Sequence, residues 1–213
     1  MLKVRLVENV TTKKRLVIAT RNEGKAVEIR ELLGEIPFQL LSLSDFARAG
    51  DAEEPEDSYA GNAICKAQYY SLVTGEMVLA DDSGLEVAAL EGKPGVLSAR
   101  YAGPNATDNE RRVKLLHELA TSNSPDRRAR FVCAVAVSLK DGIILKVTES
   151  ICEGSIGKEP RGDSGFGYDP IFVPSGYSQT FGELPEEVKN QISHRAKAVA
   201  LMREFLLTEK WCA

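Results

Sequence analysis

Two alternating apolar runs, ARFVCAVAVSL from Ala129 to Leu139 and IILKVTESI from Ile143 to Ile151, flank the dipeptide Asp141-Gly142. An Asp-Gly turn between period-two runs is a strong local signal for a β-hairpin. This hairpin constrains the fold most, because the sheet that receives it cannot be purely parallel. The chain before it reads differently. RLVIA (Arg15 to Ala19) breaks into TRNEGK, and a helical pattern through Ala26, Ile29, Leu32 and Leu33 stops at Gly34. Phe38 to Leu41 is a second short strand. Ala60, Ala63, Ile64, Ala67 and Ser71 share one helix face that ends at Gly75, and Met77 to Ala80 is a third strand delivering DDSG. Thr107 and Glu110 form a capping box for a helix through Val113, Leu116 and Leu119. Gly154 to Gly167 is loop-like, Pro170 to Val173 is a short strand, and Pro185 opens a helical region to about Lys210. Strand-loop-helix units followed by a hairpin predict an α/β fold with a mixed sheet and flanking helices. Its N-terminal loops then meet the C-terminal glycine-rich loop across a cleft.

With 213 residues and 43% apolar content the chain can bury one core, so residues 15–213 are expected as a single domain behind a polar lead, residues 1–14. The net charge of -4 gives no basic field for nucleic acid or anionic membrane. A polyanionic ligand must therefore be held by locally clustered cations or a metal. No apolar run approaches the roughly 20 residues that span a bilayer, and no signal-type segment opens the chain, so a cytoplasmic protein without membrane or nucleic-acid partners is expected. Cys65, Cys133, Cys152 and Cys212 form no C-x-x-C pair and read as reduced thiols.

Four constellations can carry chemistry. Thr20-Arg21-Asn22-Glu23-Gly24-Lys25 lies between a buried strand and a helix start, where backbone N–H groups and the helix dipole suit a phosphate. It is not a P-loop, since Ala19 and Ala26 replace its first glycine and its Ser/Thr. The plainer reading is a turn with Asn22 as helix cap. In LADDSGLEV, Asp81 and Asp82 point to opposite faces if the strand continues, leaving one for structure and one for chemistry. A carboxylate beside phosphates calls for a hard cation such as Mg²⁺, with Glu53 and Glu54 of the acidic loop as candidate co-ligands; a solvated turn is the alternative. Phe166, between glycines in GDSGFGYDP, can lie open against a flat ligand or be buried in a tight turn. Finally, Val188 to Leu206 fits one long amphipathic helix, or Ser193 caps a fresh helix that opens with His194 and Arg195 as donors. His117 has no chemical company.

Together LVIATRNEGKAVEI, LADDSGLEVAALEGKPGVLSARYAG, GFGYDPIF and ISHRAKA resemble the inosine triphosphate pyrophosphatase family, in order, from about Leu16 to Leu206. The resemblance implies an elongated mixed-sheet fold with two lobes around a nucleotide cleft, a Mg²⁺ requirement and a homodimer. It implies hydrolysis of dITP, ITP and XTP to monophosphate and pyrophosphate. Carried over by position, Thr20, Arg21, Asn22, Glu23, Gly24, Lys25 and Lys66 face the phosphates. Asp82 is the catalytic carboxylate and a metal ligand, with either Glu53 or Glu54 as the second ligand. Ser83 contacts substrate, Phe166, Gly167, Tyr168 and Asp169 form the base and sugar loop, and Lys189, His194 and Arg195 read the base. Arg21 and Asp163-Ser164 depart from the usual small residue and Thr-Gly. The rival expectations are the septum-associated pyrophosphatases of pyrimidine or modified triphosphates, and a nucleotide-binding regulator without turnover.

Overall fold

In β1 (Lys14–Ile18), Leu16 and Ile18 point to one side and Val17 to the other, each fully buried, as expected of a central strand covered on both faces. The computed structural model describes residues 13–46, 49–55 and 57–208; most of the polar lead and the chain end with Cys212 lie outside these. Asn22 caps α1 (Glu23–Leu33), its side chain accepting from Lys25 N–H, and Gly34 ends the helix with φ +53°. β2 (Phe38–Ser42) follows. Ser58 caps α2 (Tyr59–Thr74), which Gly75 closes in the left-handed region.

β3 (Met77–Val87), a two-residue β4 (Pro94–Gly95), β5 (Arg128–Ser138), β6 (Ile144–Ile156) and β7 (Phe172–Pro174) complete the strands. Among the described residues these seven strands make one sheet, in the order β2-β1-β3-β5-β6-β7, with β4 against β3. The pairs β1/β2 and β1/β3 are parallel. The pairs β3/β5, β5/β6 and β6/β7 are antiparallel, so the sheet is mixed as expected. The hairpin stands as β5 (Arg128–Ser138) and β6 (Ile144–Ile156).

β3 corrects one expectation. It does not stop at Ala80 but runs Met77–Val87 straight through DDSG, paired with β5 along its length. Ser83 and Gly84 look like a turn in sequence. In the fold Gly84 admits close packing: a Cβ there would come within 2.3 Å of the Gly95 carbonyl oxygen and 2.9 Å of the Tyr59 ring. The expected strand at Pro170 to Val173 is a 3-10 turn, Asp169–Ile171, followed by β7 (Phe172–Pro174). Pro185 opens α4 (Glu186–Ile192), and Ser193 then caps a separate α5 (His194–Leu207), its hydroxyl accepting from Ala196 N–H. The capping box at Thr107 and Glu110 forms as read, opening α3 (Asp108–Thr121).

Helices α1 and α5 pack on the face presented by Leu16, Ile18, Leu79 and Val135. Helix α2 packs on the opposite face, on Val17, Ala19, Ala80 and Ala134. A third cluster, built on Leu85, Phe131, Phe172 and Phe181, fills the far end beneath α3 and α4. The connection from β1 through α1 leads to β2 on one side, and the return through α2 leads to β3 on the other. The carboxyl end of β1 is thus a topological switch point, where open α/β sheets leave a crevice for ligands. No described helix is long and apolar enough to cross a membrane.

Candidate active site

A cavity of about 420 Å³ opens at that crevice, within the range of small-molecule sites. Its lining combines Thr20, Arg21, Asn22 and Lys25 after β1, Glu54, Lys66 and Asp82 on the side toward α2, and Phe131, Phe166, Asp169, His194 and Arg195. Strand alternation sorts the two aspartates as expected. Asp81 follows Leu79 toward α1 and α5, with Lys25 Nζ 3.0 Å and Arg195 Nε 3.6 Å from its Oδ2. Burial opposes its ionisation, but these cations outweigh burial and hold the carboxyl well below the usual range. Asp82 follows Ala80 toward α2, where Lys66 Nζ donates to Oδ1 at 2.8 Å and Asn62 Nδ2 to Oδ2 at 3.3 Å. Burial is the stronger influence here and raises the Asp82 carboxyl above its ordinary value. A carboxyl whose affinity for a proton is raised suits a proton acceptor.

Lys66 Nζ also donates to Glu54 Oε1 at 2.9 Å, and Arg100 Nη1 to Glu54 Oε2 at 3.1 Å. Burial alone would raise the Glu54 carboxyl, but the two cations leave it below its usual value. Glu53 is exposed and outside the cavity wall. Of the two glutamates left open above, the structure therefore brings Glu54 to the site. Asp82 and Glu54 converge on one ammonium, so at most two hydrogen-bond lengths separate their oxygens. This pair fits a small hard cation that takes one or two protein carboxylates and completes its shell with phosphate oxygens and water. Among the described residues no group of three His, Cys, Asp or Glu side chains gathers to cage a metal alone.

His194 stacks on Phe131, centroids 4.5 Å apart and planes 8° from parallel. Burial first, and then the Arg195 and Lys189 charges, push its imidazole well below its ordinary value, so it is neutral at physiological pH. Its Nδ1 is buried and has no hydrogen-bond partner among the described residues. Arg195 donates to Glu28 and, at 3.0 Å, to Ser83 Oγ. Lys189 Nζ bonds Glu28 and Asp169, at 2.5 and 2.7 Å. It lies 5.0 Å from the centre of the Phe166 ring. Lys189 therefore stands behind the wall rather than in it, holding Asp169 and Phe166. Two other expected contacts are also displaced. Glu23 points to solvent from the first turn of α1. Gly24 serves the Phe166 ring instead, since a Cβ there would lie 2.7 Å from Cδ1. Arg21 reaches across to the acidic loop, donating to Gly50 O at 2.9 Å and pairing with Asp51.

Three residues not singled out in the sequence join the site. Glu28 is the buried counter-ion shared by Lys189 and Arg195; on a helix surface pattern it looks solvated. Phe131 sits inside a continuous apolar strand that gives no hint of a ligand. Asn62 was legible in principle, since it precedes Lys66 by four residues and so shares its helix side.

A family model described as the Ham1 family matches residues 16–205. A dITP/XTP pyrophosphatase of Geobacter sulfurreducens is 46% identical over 192 residues, 90% of this chain and 96% of that protein. One of Desulforamulus reducens is also 46% identical over 192 residues, 90% of this chain and 95% of its own. Among solved structures, a HAM1 protein from Coxiella burnetii superposes with TM-score 0.83 at 40% identity, over 91% of this chain and 98% of the other. The Staphylococcus aureus Ham1 protein gives 0.81 at 40% identity, over 92% and 100%.

Proposed function

The chain belongs to the Ham1 family, and from that premise we propose that it hydrolyses non-standard purine nucleoside triphosphates, dITP, ITP and XTP, to the monophosphate and pyrophosphate. The observation that carries this reading is one cavity lined by two unlike sets of side chains: Lys25, Lys66 and Asp82 in one, Phe166, His194 and Arg195 in the other. Cations with a carboxylate suit a triphosphate undergoing attack, and an aromatic face with a neutral imidazole suits a base.

In this reading a water oxygen attacks the α-phosphorus, the bond from that phosphorus to the bridging oxygen breaks, and pyrophosphate leaves with the electron pair. Asp82 accepts the proton of the attacking water. Lys25 and Lys66 neutralise charge developing on the phosphate oxygens, each worth about 2.7 to 4 kcal/mol if it acts as an oxyanion-hole donor does. Asp82 and Glu54 would hold Mg²⁺, which when bound supplies charge neutralisation and polarises the phosphate. Lys66, now shared by both carboxylates, is then free to turn toward phosphate.

Base selection follows from donors. Inosine and xanthine carry a 6-oxo acceptor where adenine carries an amino donor. A site built to donate is left unpaired by adenine, and such mismatches discriminate by up to about 10⁴ to 10⁵. Neutral His194 supplies one N–H, and Arg195 is fixed by Glu28 and Ser83 with further N–H groups to offer. A cytoplasmic setting, beside the nucleotide pool, and a homodimer belong to the same proposal.

The deciding experiment incubates the protein with ITP, XTP, ATP, dTTP and UTP with and without Mg²⁺, and scores pyrophosphate against orthophosphate. Pyrophosphate from ITP and XTP, only with Mg²⁺, is expected. Preference for dTTP or UTP would favour the septum-associated activity, and tight binding without turnover a regulator.

A further inference from the structure

The loop that carries Phe166 has little regular structure to hold it. Gly165 and Gly167 have φ of +74° and +60°, a region open to glycine at the cost of much conformational freedom in the unfolded chain. Yet the backbone groups around Phe166 are taken by charged side chains. Phe166 N–H donates to Asp169 Oδ2 at 2.9 Å and Gly167 N–H to Asp108 Oδ2 at 2.7 Å. The Gly167 carbonyl accepts from Arg112 Nη1 at 2.7 Å. Asp108 and Arg112 are four residues apart at the start of α3, on one side of that helix. One helix thus grips both peptides that flank Gly167 with charge-assisted bonds, the stronger class of hydrogen bond.

The grip is itself braced. The capping box of Thr107 and Glu110 fixes the first turn of α3. The other Asp108 oxygen pairs with Arg111, which donates to the Ala99 and Ala106 carbonyls at 2.6 and 2.7 Å. The Phe166 ring held this way rests over Gly24, with the Arg195 guanidinium carbon 5.5 Å from its centre.

We propose that Asp108 and Arg112 are positioning residues for the purine: through Gly167 they hold the Phe166 ring at its place in the cavity, and so set affinity for the base. This rests on the nucleobase reading of Phe166 given above. Asp108 borders the cavity, but the bonds of Asp108 and Arg112 go to Gly167 and Arg111 and not to Lys25, Lys66 or Asp82, so they are the same before and during the phosphorus step. Interactions of that kind act on KM and leave kcat alone.

The test uses Asp108→Ala and Arg112→Ala, alone and combined with Phe166→Ala, and Asp108→Asn, which keeps an oxygen for the Gly167 N–H. With ITP, each alanine variant should raise KM roughly tenfold, the worth of one lost charge-assisted bond, with kcat within about twofold. Asp108→Asn should restore most of the affinity. In the Phe166→Ala background neither substitution should add further loss, because the ring they position is gone. Without nucleotide, amide exchange over residues 165–169 should quicken in both alanine variants while β5 keeps its protection. An unchanged KM, a kcat loss in place of it, additivity with Phe166→Ala, or unaltered exchange over 165–169 would each overturn the proposal. Faster exchange in the variants together with a wild type inert toward ITP would overturn the substrate reading, and this role with it. If an alanine variant does not fold, Asp108→Ser and Arg112→Lys, which shorten the reach, are read by the same criteria.

Discussion

Asp81 and Asp82 share a peptide bond and stand in opposite environments, so the same substitution should do different things to them. Asp81→Asn strands Lys25 and Arg195 beside a buried neutral amide, and breaking a buried ion pair typically costs about 3 to 5 kcal/mol. Its urea midpoint should fall accordingly. Asp82→Asn keeps one oxygen to accept from Lys66, turns an NH2 toward the Asn62 amide, and removes the base, which is worth about 10² to 10⁴ in rate. Turnover of ITP should fall by that factor with little change in midpoint; a stability loss in Asp82→Asn larger than in Asp81→Asn would reverse the two roles. His194 makes a separate statement about pH. Its folded value lies below the unfolded one, so between the two the unfolded chain binds a proton that the fold does not. Stability is complete above about pH 6.5 and falls as pH drops through the window below it, by up to about 1.4 kcal/mol per pH unit. His194→Gln should flatten that part of the stability curve; an identical slope in wild type and variant would show that the imidazole titrates freely. At this scale the DD alternation was readable, because a period of two needs only the strand. Glu28 was not, because its burial depends on Lys189 and Arg195 arriving from more than 160 residues away.

Among the elements, the legible features were those with a local cause. Asn22, Thr107 and Ser193, each readable as a cap, do cap a helix with their own side chain, a bond closed within three residues. The length of β3 had no local cause, since Ser83 and Gly84 carry turn chemistry and only pairing with β5 and the close approach of Gly95 make them strand. The cap at Ser193 links structure to function most directly. It starts α5 in a new direction, so that His194 and Arg195 open a helix at the cavity instead of continuing α4. Ser193→Ala should cost about 1 kcal/mol, as cap removal commonly does. It should also narrow the preference for ITP over ATP, because the two donors lose their fixed origin. Measuring the midpoint and the ITP to ATP ratio on one preparation checks this. A stability loss with an unchanged ratio would mean that Glu28 and Phe131 alone hold the pair in place.

At the scale of the molecule, the cavity is bordered by both ends of the sheet, yet no seam divides them. β3 and β5 are 11 residues each, and their ladder runs from Val78–Ser138 at one end to Val87–Ala129 at the other. The first part of that ladder is covered by α1, α2 and α5, the last by α3 and α4. Unfolding either end would expose the apolar side chains of strands whose other halves remain buried, and would leave ladder groups unpaired at the break. Chain length and composition made one domain the expectation, but this continuity depends on the hidden half of β3. We therefore propose that the two ends unfold together. Followed by hydrogen exchange in urea, segments from β1 and α1 and segments from β7 and α4 should lose protection at one midpoint, with the calorimetric and van't Hoff enthalpies equal. A ligand such as inosine monophosphate should raise both midpoints equally, since both belong to one cooperative unit. Two resolved midpoints, or a ligand shift confined to one end, would mean that the cavity lies between units able to move separately.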